Sequence, residues 1–199
     1  MIYQIFTTCL IFTFLSSCSP VSSSKRVSKE EVKKTFTMDQ DWLFWRGSDG
    51  SGVSKQTNLP DILSLDDESL LWSHEIQGGG VPVIAGGRAY QFGYYGVEEE
   101  LEEALVCFDA ASGEVLWERT HSDFISDIVY NRYGVGAASV DPATGNVYFQ
   151  TSPGLLIGYD SDGNKLWERS LMEEFARLTF PNGRTGGPCV DGDLVIIHA

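Results

Sequence analysis

The sequence predicts an all-β fold made of four-stranded antiparallel sheets that repeat along the chain. Trp72, Trp117 and Trp167 lie 45 and 50 residues apart, and the last two each end a segment with the pattern of a β-hairpin. A second hairpin pattern shares this period, so each repeat holds two hairpins and four strands. Four-stranded sheets at a period of about 40 to 50 residues are typical of the blades of a β-propeller.

The first kind of hairpin is clearest in residues 107–117 and 158–167, where apolar runs flank a short polar turn. Each turn contains an aspartate and a glycine, which are Asp109 and Gly113 in one repeat and Asp160 and Gly163 in the next. The aspartate can accept a hydrogen bond from an amide two residues further on, and the glycine can adopt the positive φ that closes a short loop. The Trp that ends each hairpin is expected to pack against a neighbouring layer.

The second kind of hairpin consists of a small residue, a short strand, a glycine turn and another strand. It recurs in residues 81–90, 138–148 and 187–195. The chain therefore holds two complete predicted blades, near Val81 to Arg119 and Ala137 to Arg169, and half a blade from Gly187. Because closed propellers use about 4 to 8 blades, we expect a partial propeller whose ring does not close within 199 residues, in a protein that continues further.

Residues 1–17 are predicted to be a lipoprotein signal peptide. They are apolar, and their core from Ile5 to Leu15 has 11 residues, which is short for a membrane span. The sequence Leu-Ser-Ser-Cys at residues 15–18 resembles a bacterial lipobox, in which Cys18 would carry the lipid. An uncleaved anchor and an ordinary secreted protein are the alternatives, because the basic residues usual at the start of a signal are missing. Ser19, rather than Asp, favours the outer membrane.

Residues 18–40 are predicted to be a flexible tether, because they are rich in Ser and then in charged residues and are too polar to build a core. The basic residues of this tether would lie close to anionic lipid at the membrane surface. Residues 41–199 are predicted to form the propeller domain.

The charge of the chain is uneven. Its formal total is −14, and residues 25–34 carry a local +3, so the residues after 34 carry −17. A body this acidic argues against nucleic-acid binding, which needs a basic face to replace counterions. We interpret the negative charge as a source of solubility.

Three long connections separate the predicted strands. Residues 93–103 hold five glutamates, Glu98, Glu99, Glu100, Glu102 and Glu103, which repel one another and predict a solvated loop. A cation-binding loop is the minor alternative for them. Residues 121–133 and 172–186 form the other two connections, and a binding site at the rim of the scaffold is expected in the latter.

The sequence contains no pattern that predicts a catalytic or metal-binding residue. Residues 160–164 begin like a calcium loop, but the later glycine and glutamate of such a loop are missing, so a hairpin is favoured. The three histidines are scattered and are interpreted as structural. Residues 78–80 and 134–136 are rich in Gly but precede strands, so they predict close packing and not a phosphate site. Cys107 and Cys189 are expected to be buried free thiols.

Two segments and the repeats carry a resemblance to a known family. Residues 41–54 and Leu70 to Ile76 resemble the opening of the bacterial pyrroloquinoline-quinone-like (PQQ-like) propeller repeat proteins. Repeats of that family end in Ala-x-Asp-x-x-Thr-Gly-x-x-x-Trp, and this chain has Cys107, Asp109, Ser112, Gly113 and Trp117 at those positions. In the next repeat Asp160, Gly163 and Trp167 match, with a shorter turn and no counterpart of the Thr. In the family the N-terminal strand completes the last blade, so Leu70 to Ile76 would pair with strands that this sequence does not contain.

The resemblance implies two possible functions of different classes. The first is a non-catalytic envelope lipoprotein, a binding or assembly scaffold with a protein partner, similar in kind to the propeller lipoprotein of the outer-membrane barrel-assembly machinery. Such a scaffold has no cofactor. The alternative is a periplasmic quinoprotein dehydrogenase that oxidises alcohols or sugars with pyrroloquinoline quinone and Ca²⁺, and whose active site lies in a part of the protein beyond residue 199. That class uses a pair of adjacent cysteines, which this sequence lacks. We expect the scaffold, since repeats of this kind indicate a fold and not a reaction.

Overall fold

A computed structural model describes residues 41–57, 61, 64–66, 70–122, 132–175 and 186–198. The predicted signal peptide, Cys18 and the predicted tether lie outside these residues, so they stay predictions. The larger parts of two long connections, residues 123–131 and 176–185, lie outside them as well. None of the described helices is long and apolar enough to cross a membrane.

The first sheet is antiparallel, and its four strands follow one another in chain order. They are β1 Val83–Ala85, β2 Arg88–Tyr95, β3 Glu102–Asp109 and β4 Val115–His121. A short 3-10 helix, Glu98–Glu100, lies between β2 and β3. In the β3–β4 hairpin Cys107 pairs with Trp117, and a register shift follows at Phe108. The hairpin predicted from the aspartate–glycine turn is therefore present.

The second sheet repeats this arrangement, and a third begins it. The second consists of β5 Ser139–Val140, β6 Val147–Gln150, β7 Leu155–Tyr159 and β8 Lys165–Ser170. A five-residue helix, α1 Leu171–Phe175, follows β8. The third sheet is the hairpin β9 Cys189–Asp191 and β10 Leu194–Ile196. Two four-stranded blades and a half blade are confirmed, and the described strands do not close a ring.

The first strands of the three sheets lie next to one another, and the last strands lie furthest from them. β1 contacts β5, and β5 contacts β9, whereas β4 and β8 stand at the far side of their sheets. This is the arrangement of propeller blades about an axis. We call the line formed by β1, β5 and β9 the inner edge.

One hydrophobic core joins the first two sheets. Alternate residues of each strand face it, as expected for strands whose side chains point to opposite faces in turn. Its buried members are Leu43, Val83, Ala85, Tyr90, Phe92, Leu105, Cys107, Trp117, Ala138, Val140, Val147, Phe149, Ile157 and Tyr159. The opposite face of the first sheet carries a smaller cluster, in which Trp72 and Ile76 pack on Val106 and its neighbours. β3 is therefore buried on both faces.

The acidic run is only partly a solvated loop, which corrects the expectation for residues 93–103. β2 continues to Tyr95 and β3 begins at Glu102, so the connection is shorter than predicted. Residues 98–100 are exposed as expected. Glu103, in contrast, is only 2% exposed, because amides from other parts of the chain surround its carboxylate.

The two thiols differ in burial, which also corrects an expectation. Cys107 lies in the core and is buried, whereas Cys189 is exposed. Cys189 pairs with Ile196 in the β9–β10 hairpin, and Ile196 is itself 48% exposed. In the described part of the chain no further strand pairs with this hairpin.

Candidate functional site

The sheets have two unlike ends. Short hairpin turns join β1 to β2, β3 to β4, β5 to β6 and β7 to β8 at one end, which we call the turn end. The longer connections that leave β2, β4 and β8, and the tight β6–β7 turn, lie at the other end, which we call the connection end. The residues that the sequence singled out fall mainly at the turn end.

At the turn end, each of the first two repeat tryptophans packs on the turn of the following repeat. Trp72 Nε1 donates a hydrogen bond to the carbonyl oxygen of Ala110 at 3.0 Å. Trp117 Nε1 donates to the carbonyl oxygen of Ser161, also at 3.0 Å. Trp117 is buried, while Trp72 is partly buried against Phe108, with ring centroids 5.2 Å apart. The tryptophans thus link one repeat to the next.

The turn glycines lie directly beneath these indoles. Gly113 has a φ of 74°, and a Cβ placed on it would lie 2.5 Å from Trp72 Cγ. Gly163 has a φ of 78°, and its Cβ would lie 2.7 Å from Trp117 Cδ2. Positive φ and close approach each favour glycine. Both reasons apply here, so the two glycines are required by the backbone and by the neighbouring repeat.

The turn aspartates hold the same turns from within. Asp109 Oδ1 accepts hydrogen bonds from the amides of Ala111 and Ser112, at 3.1 and 2.9 Å. Asp160 Oδ1 accepts from the amides of Asp162 and Asn164, both at 2.9 Å. The hydrogen bonds from Ser112 lower the pKa of Asp109 below its ordinary value. Asp109 therefore stays ionised, and each aspartate fixes the loop on which an indole rests.

Two arginines of the first sheet also hold the turn of the second. Arg88 donates to the carbonyl oxygen of Ser161 and pairs with Asp162, Nη2 to Oδ1, at 3.0 Å. Arg119 Nε donates to the carbonyl oxygen of Gly163 at 2.8 Å, and its guanidinium lies 5.6 Å from the centroid of the Trp117 ring. The second turn is thus held by three side chains of the preceding blade.

Trp167, the third repeat tryptophan, has a different environment. Its ring stacks on Tyr148 with centroids 5.6 Å apart, above Gly158. It is partly buried, and no described residue accepts a hydrogen bond from its indole nitrogen. Arg169, two residues later, pairs with Glu174, Nη2 to Oε2, at 2.6 Å.

A buried carboxylate is the central feature of the connection end. Glu103 Oε1 accepts hydrogen bonds from the Gly134 amide at 3.0 Å and from Ser152 Oγ at 2.5 Å. Its Oε2 accepts from the Ser152 amide at 2.7 Å. Gly134 precedes β5, and Ser152 lies in the β6–β7 turn. One side chain of the first sheet therefore fixes two loops of the second, and hydrogen bonds of this kind offset the cost of burying a charge.

Glycines allow the backbones to approach one another closely beside Glu103. A Cβ on Gly78 would lie 2.8 Å from the carbonyl oxygen of Gly134, and one on Gly80 would lie 2.9 Å from that of Gly136. A Cβ on Gly93 would lie 2.5 Å from the carbonyl oxygen of Gln77. The close packing predicted for residues 78–80 and 134–136 is present.

The histidines contact aromatic side chains. His121 Nε2 lies 3.1 Å from Tyr159 Oη, and its ring centroid lies 5.4 Å from that of Phe149, both residues of the second sheet. Burial lowers the pKa of His121 below its ordinary value, although Glu168 acts in the opposite direction. His74 Nε2 lies 3.2 Å from Tyr95 Oη, and burial together with Glu118 raises the pKa of Tyr95 to about 12. His198 is exposed.

Two cavities lie beside these elements. The larger, of about 670 Å³, is lined by residues 41–42, 47–49 and 53–56 and by Val81, Pro82 and Ile84. The smaller, of about 410 Å³, lies between residues 72–82 and the face of the first sheet that carries Phe108. The described residues contain no group of three or more His, Cys, Asp or Glu side chains that could hold a metal ion. They also place Cys107 and Cys189 in different sheets, so the donor set of a quinone and calcium site does not fit them.

Sequence reasoning missed two groups of residues that hold the blades together. Glu103 gave no signal, because it belongs to a run of five glutamates. Arg119 had a usable signal, because Trp-Glu-Arg occurs at residues 117–119 and again at 167–169. Arg88 stands alone in its turn, and its role depends on a turn more than 70 residues away.

Comparison with known proteins gives one family match. The family model described as outer membrane protein assembly factor BamB matches residues 61–199. None of the curated proteins matches the chain.

Two solved structures are similar over parts of the chain. Quinohemoprotein alcohol dehydrogenase from Comamonas testosteroni is 22% identical, with a TM-score of 0.36, over 49% of this chain and 14% of that one. BamB from Moraxella catarrhalis is 14% identical, with a TM-score of 0.28, over 63% of this chain and 47% of that one. The chain thus covers less than half of either protein. Because both TM-scores lie below 0.5, the family assignment depends on the match of residues 61–199.

Proposed function

Because the chain belongs to the family of PQQ-like propeller repeat proteins, whose model is described as outer membrane protein assembly factor BamB, we propose that it is a non-catalytic scaffold of the cell envelope. It binds a protein partner that takes part in assembling the outer membrane. A lipid on Cys18 holds it at the periplasmic face of that membrane, and it needs neither pyrroloquinoline quinone nor Ca²⁺.

One observation carries this proposal. The described residues that define the repeats serve packing: Trp72 and Trp117 rest on the turns of the following repeats, over Gly113 and Gly163. The indole nitrogens of both tryptophans donate to backbone carbonyl oxygens of those turns. A motif used in this way supports a rigid framework, and such a framework favours binding through the loops that it positions.

The connection end is the surface that we assign to the partner. Two large apolar side chains are exposed there, Val97 at 61% and Phe175 at 56%. Acidic side chains flank both of them, at residues 98–100 and 173–174. Exposed apolar groups rimmed by charge are typical of protein-binding surfaces. Glu103 fixes two other loops of this end, through the Gly134 and Ser152 amides.

The lipid anchor is tested with two cysteine variants of the full-length protein. Cells are grown with an alkyne-labelled fatty acid, and the label on the protein is measured after gel separation. We expect Cys18→Ser to abolish the label and to release the protein from the membrane fraction. Cys9→Ser is the matched control, since Cys9 lies within the predicted signal peptide, and it should leave both results unchanged. Label that persists in Cys18→Ser rejects this anchor.

The partner surface is tested by photo-crosslinking in cells. A photoreactive residue replaces Val97 at the connection end or, as a matched control, the exposed Ala111 at the turn end. We expect the first to crosslink to a protein of the outer-membrane assembly machinery and the second to give no such product. Deleting the gene should also lower the amount of folded outer-membrane proteins. Crosslinking from Ala111 alone, or unchanged outer-membrane proteins, would overturn the assignment.

The dehydrogenase alternative is tested by adding pyrroloquinoline quinone and Ca²⁺ to the full-length protein. We expect no dye-linked oxidation of alcohols or sugars and no cofactor retained after dialysis. Turnover that depends on both additions would instead establish the enzyme.

A further inference from the structure

The segment after the predicted tether lies along the inner edge, and we infer that residues 41–47 form a plug that closes this edge in the first two blades. Trp42 and Ile84 exchange two backbone hydrogen bonds, Trp42 N to Ile84 O at 2.8 Å and Ile84 N to Trp42 O at 2.9 Å. The next carbonyl oxygen of the segment, that of Leu43, accepts from the Val140 amide at 2.9 Å. One short extended segment therefore bonds to both β1 and β5.

Ile84 and Val140 hold equivalent positions in their sheets. Ile84 in β1 pairs with Ala89 of β2, and Val140 in β5 pairs with Val147 of β6. The amide of each residue points away from that partner strand and toward the plug. Without the plug these amides would lie on a free strand edge. Free edges recruit other strands, so proteins commonly cover them. Here the successive carbonyl groups of Trp42 and Leu43 accept from these two edge amides, one in each blade.

The side chains show that the plug is a built part of the fold. Leu43 is 3% exposed and belongs to the core shared by the two sheets. The Trp42 ring lies over Gly47, where a Cβ would approach it to 2.9 Å. The Gly47 amide bonds to the Phe44 carbonyl oxygen at 2.8 Å, which closes the turn after the plug. Asp41 Oδ1 accepts from the Gly86 amide at 3.3 Å and fixes its start.

The plug limits where this protein can bind a ligand. The line on which β1 and β5 converge is already occupied by main chain, a leucine and an indole. A ligand or a strand of another protein could reach this line only by displacing residues 41–43, with the loss of three backbone hydrogen bonds and a buried leucine. This inference does not depend on the proposed function, because it concerns the inner edge and not the connection end.

Amide hydrogen exchange of the full-length protein, measured residue by residue by NMR, tests the plug. We expect the Ile84 and Val140 amides to exchange as slowly as amides inside the β2–β3 ladder. In Leu43→Asp a charge replaces the buried leucine, and both amides should exchange at least tenfold faster, while the β7–β8 amides stay protected. Trp45→Ala is the matched control, since Trp45 is 57% exposed two residues further on, and it should change neither amide.

A milder pair of variants keeps the test decisive if Leu43→Asp does not fold. Gly47→Ala places a methyl group against the Trp42 ring at a φ of 81°, whereas Gly50→Ala has a similar φ of 70° but meets Phe44 only at 3.8 Å. Gly47→Ala should speed exchange at Ile84 and Val140, and Gly50→Ala should do so much less. Rapid exchange of the two amides in the unaltered protein, or slow exchange in both Leu43→Asp and Gly47→Ala, would overturn the inference.

Discussion

Trp117 joins two blades through its ring and through one polar atom, and its replacement by Phe weakens both contacts. In Trp117→Phe an aromatic ring remains above Gly163, but the hydrogen bond to the Ser161 carbonyl oxygen is lost. That oxygen keeps Arg88 as a donor, so no buried acceptor is left without a partner. We expect the free energy of unfolding in urea to fall by roughly 1 to 3 kcal/mol, because the hydrogen bond and part of the buried ring are lost together. Trp45→Phe, at an exposed position, should leave it unchanged, and an equal effect of both changes would contradict the contact.

Gly163 combines a positive φ with a neighbour that leaves no room for a side chain. Gly87 offers a matched control, since its φ is 75° but a Cβ placed on it would meet no atom within 4 Å. Gly87→Ala should therefore lower the free energy of unfolding by about 1 kcal/mol, because of backbone strain alone. Gly163→Ala should cost that amount and roughly 1 to 3 kcal/mol more, because the Trp117 ring must move. Thermal and urea unfolding of the two variants would measure the difference, and equal losses would show that the indole adapts freely.

Glu103 can be tested with a change that keeps its shape. In Glu103→Gln the side chain remains similar in size, but one oxygen becomes an NH₂ group that faces the amide of Ser152 or of Gly134. We expect the free energy of unfolding to fall by about 1 to 3 kcal/mol, since a buried donor then opposes another donor. Glu99→Gln, on the exposed helix, is the control and should have little effect. The same loss in both variants would mean that net charge, and not the buried carboxylate, is responsible.

These residues show which side chains can be assigned from sequence. The turn aspartates bond to amides a few positions away, and the turn glycines supply a local positive φ, so their spacing predicts the turns that the structure contains. The spacing of the tryptophans predicts a neighbouring layer, but it does not reveal that Trp117 reaches Ser161 of the next repeat. Glu103 bonds to groups 31 and 49 residues away. No local pattern distinguishes it from the glutamates beside it.

The junction of the first two blades contains a histidine, whose ordinary pKa lies near neutral pH. His121, at the end of β4, packs on Phe149 and Tyr159 of the second sheet, with Glu168 and Lys165 near it. Burial lowers its pKa in the folded state below the ordinary value of 6.5. The unfolded chain therefore binds a proton first as the pH falls. The stability contributed by neutral His121 is present above about pH 6.5 and is lost as the pH falls from there toward the folded pKa.

The measurement is the free energy of unfolding between pH 8 and pH 5 for the wild type and for His121→Phe. The free energy of unfolding of the wild type should decrease as the pH falls from about 6.5 to the folded pKa, and we expect a smaller decrease in the variant. His74→Phe serves as the control, because His74 is exposed. Parallel curves for the wild type and His121→Phe would show that carboxylates alone determine the pH dependence.

At the level of whole elements, what could be predicted depends on how far apart the paired residues lie. Each hairpin joins strands that are close in sequence, so the β1–β2, β3–β4 and β7–β8 pairs could be predicted from turn chemistry. The lengths of β2 and β3 could not, because Tyr94 and Tyr95 pair with two glutamates that look like loop residues. Residues 42–43 gave no strand signal either, since they bond to residues more than 40 positions away.

In the whole molecule, the first two blades share one core, so we expect them to unfold together. Cys107 reports on this core because it is buried, and Cys189 reports on the exposed third hairpin. In a variant with Cys9 and Cys18 replaced by Ser, a thiol reagent should label Cys189 at once. It should label Cys107 only at the urea concentration at which the β-sheet circular dichroism is lost. Intact mass measures the labelling, and modification of Cys107 before the dichroism changes would show that the blades separate first.

The contacts between tryptophans and turns all point in one direction along the chain. Trp72 reaches forward 38 residues to Ala110, and Trp117 reaches forward 44 residues to Ser161. During synthesis each of these indoles leaves the ribosome before the turn that it will hold. Each turn therefore emerges when its indole has already been synthesised, so the contact can form as soon as the turn is complete.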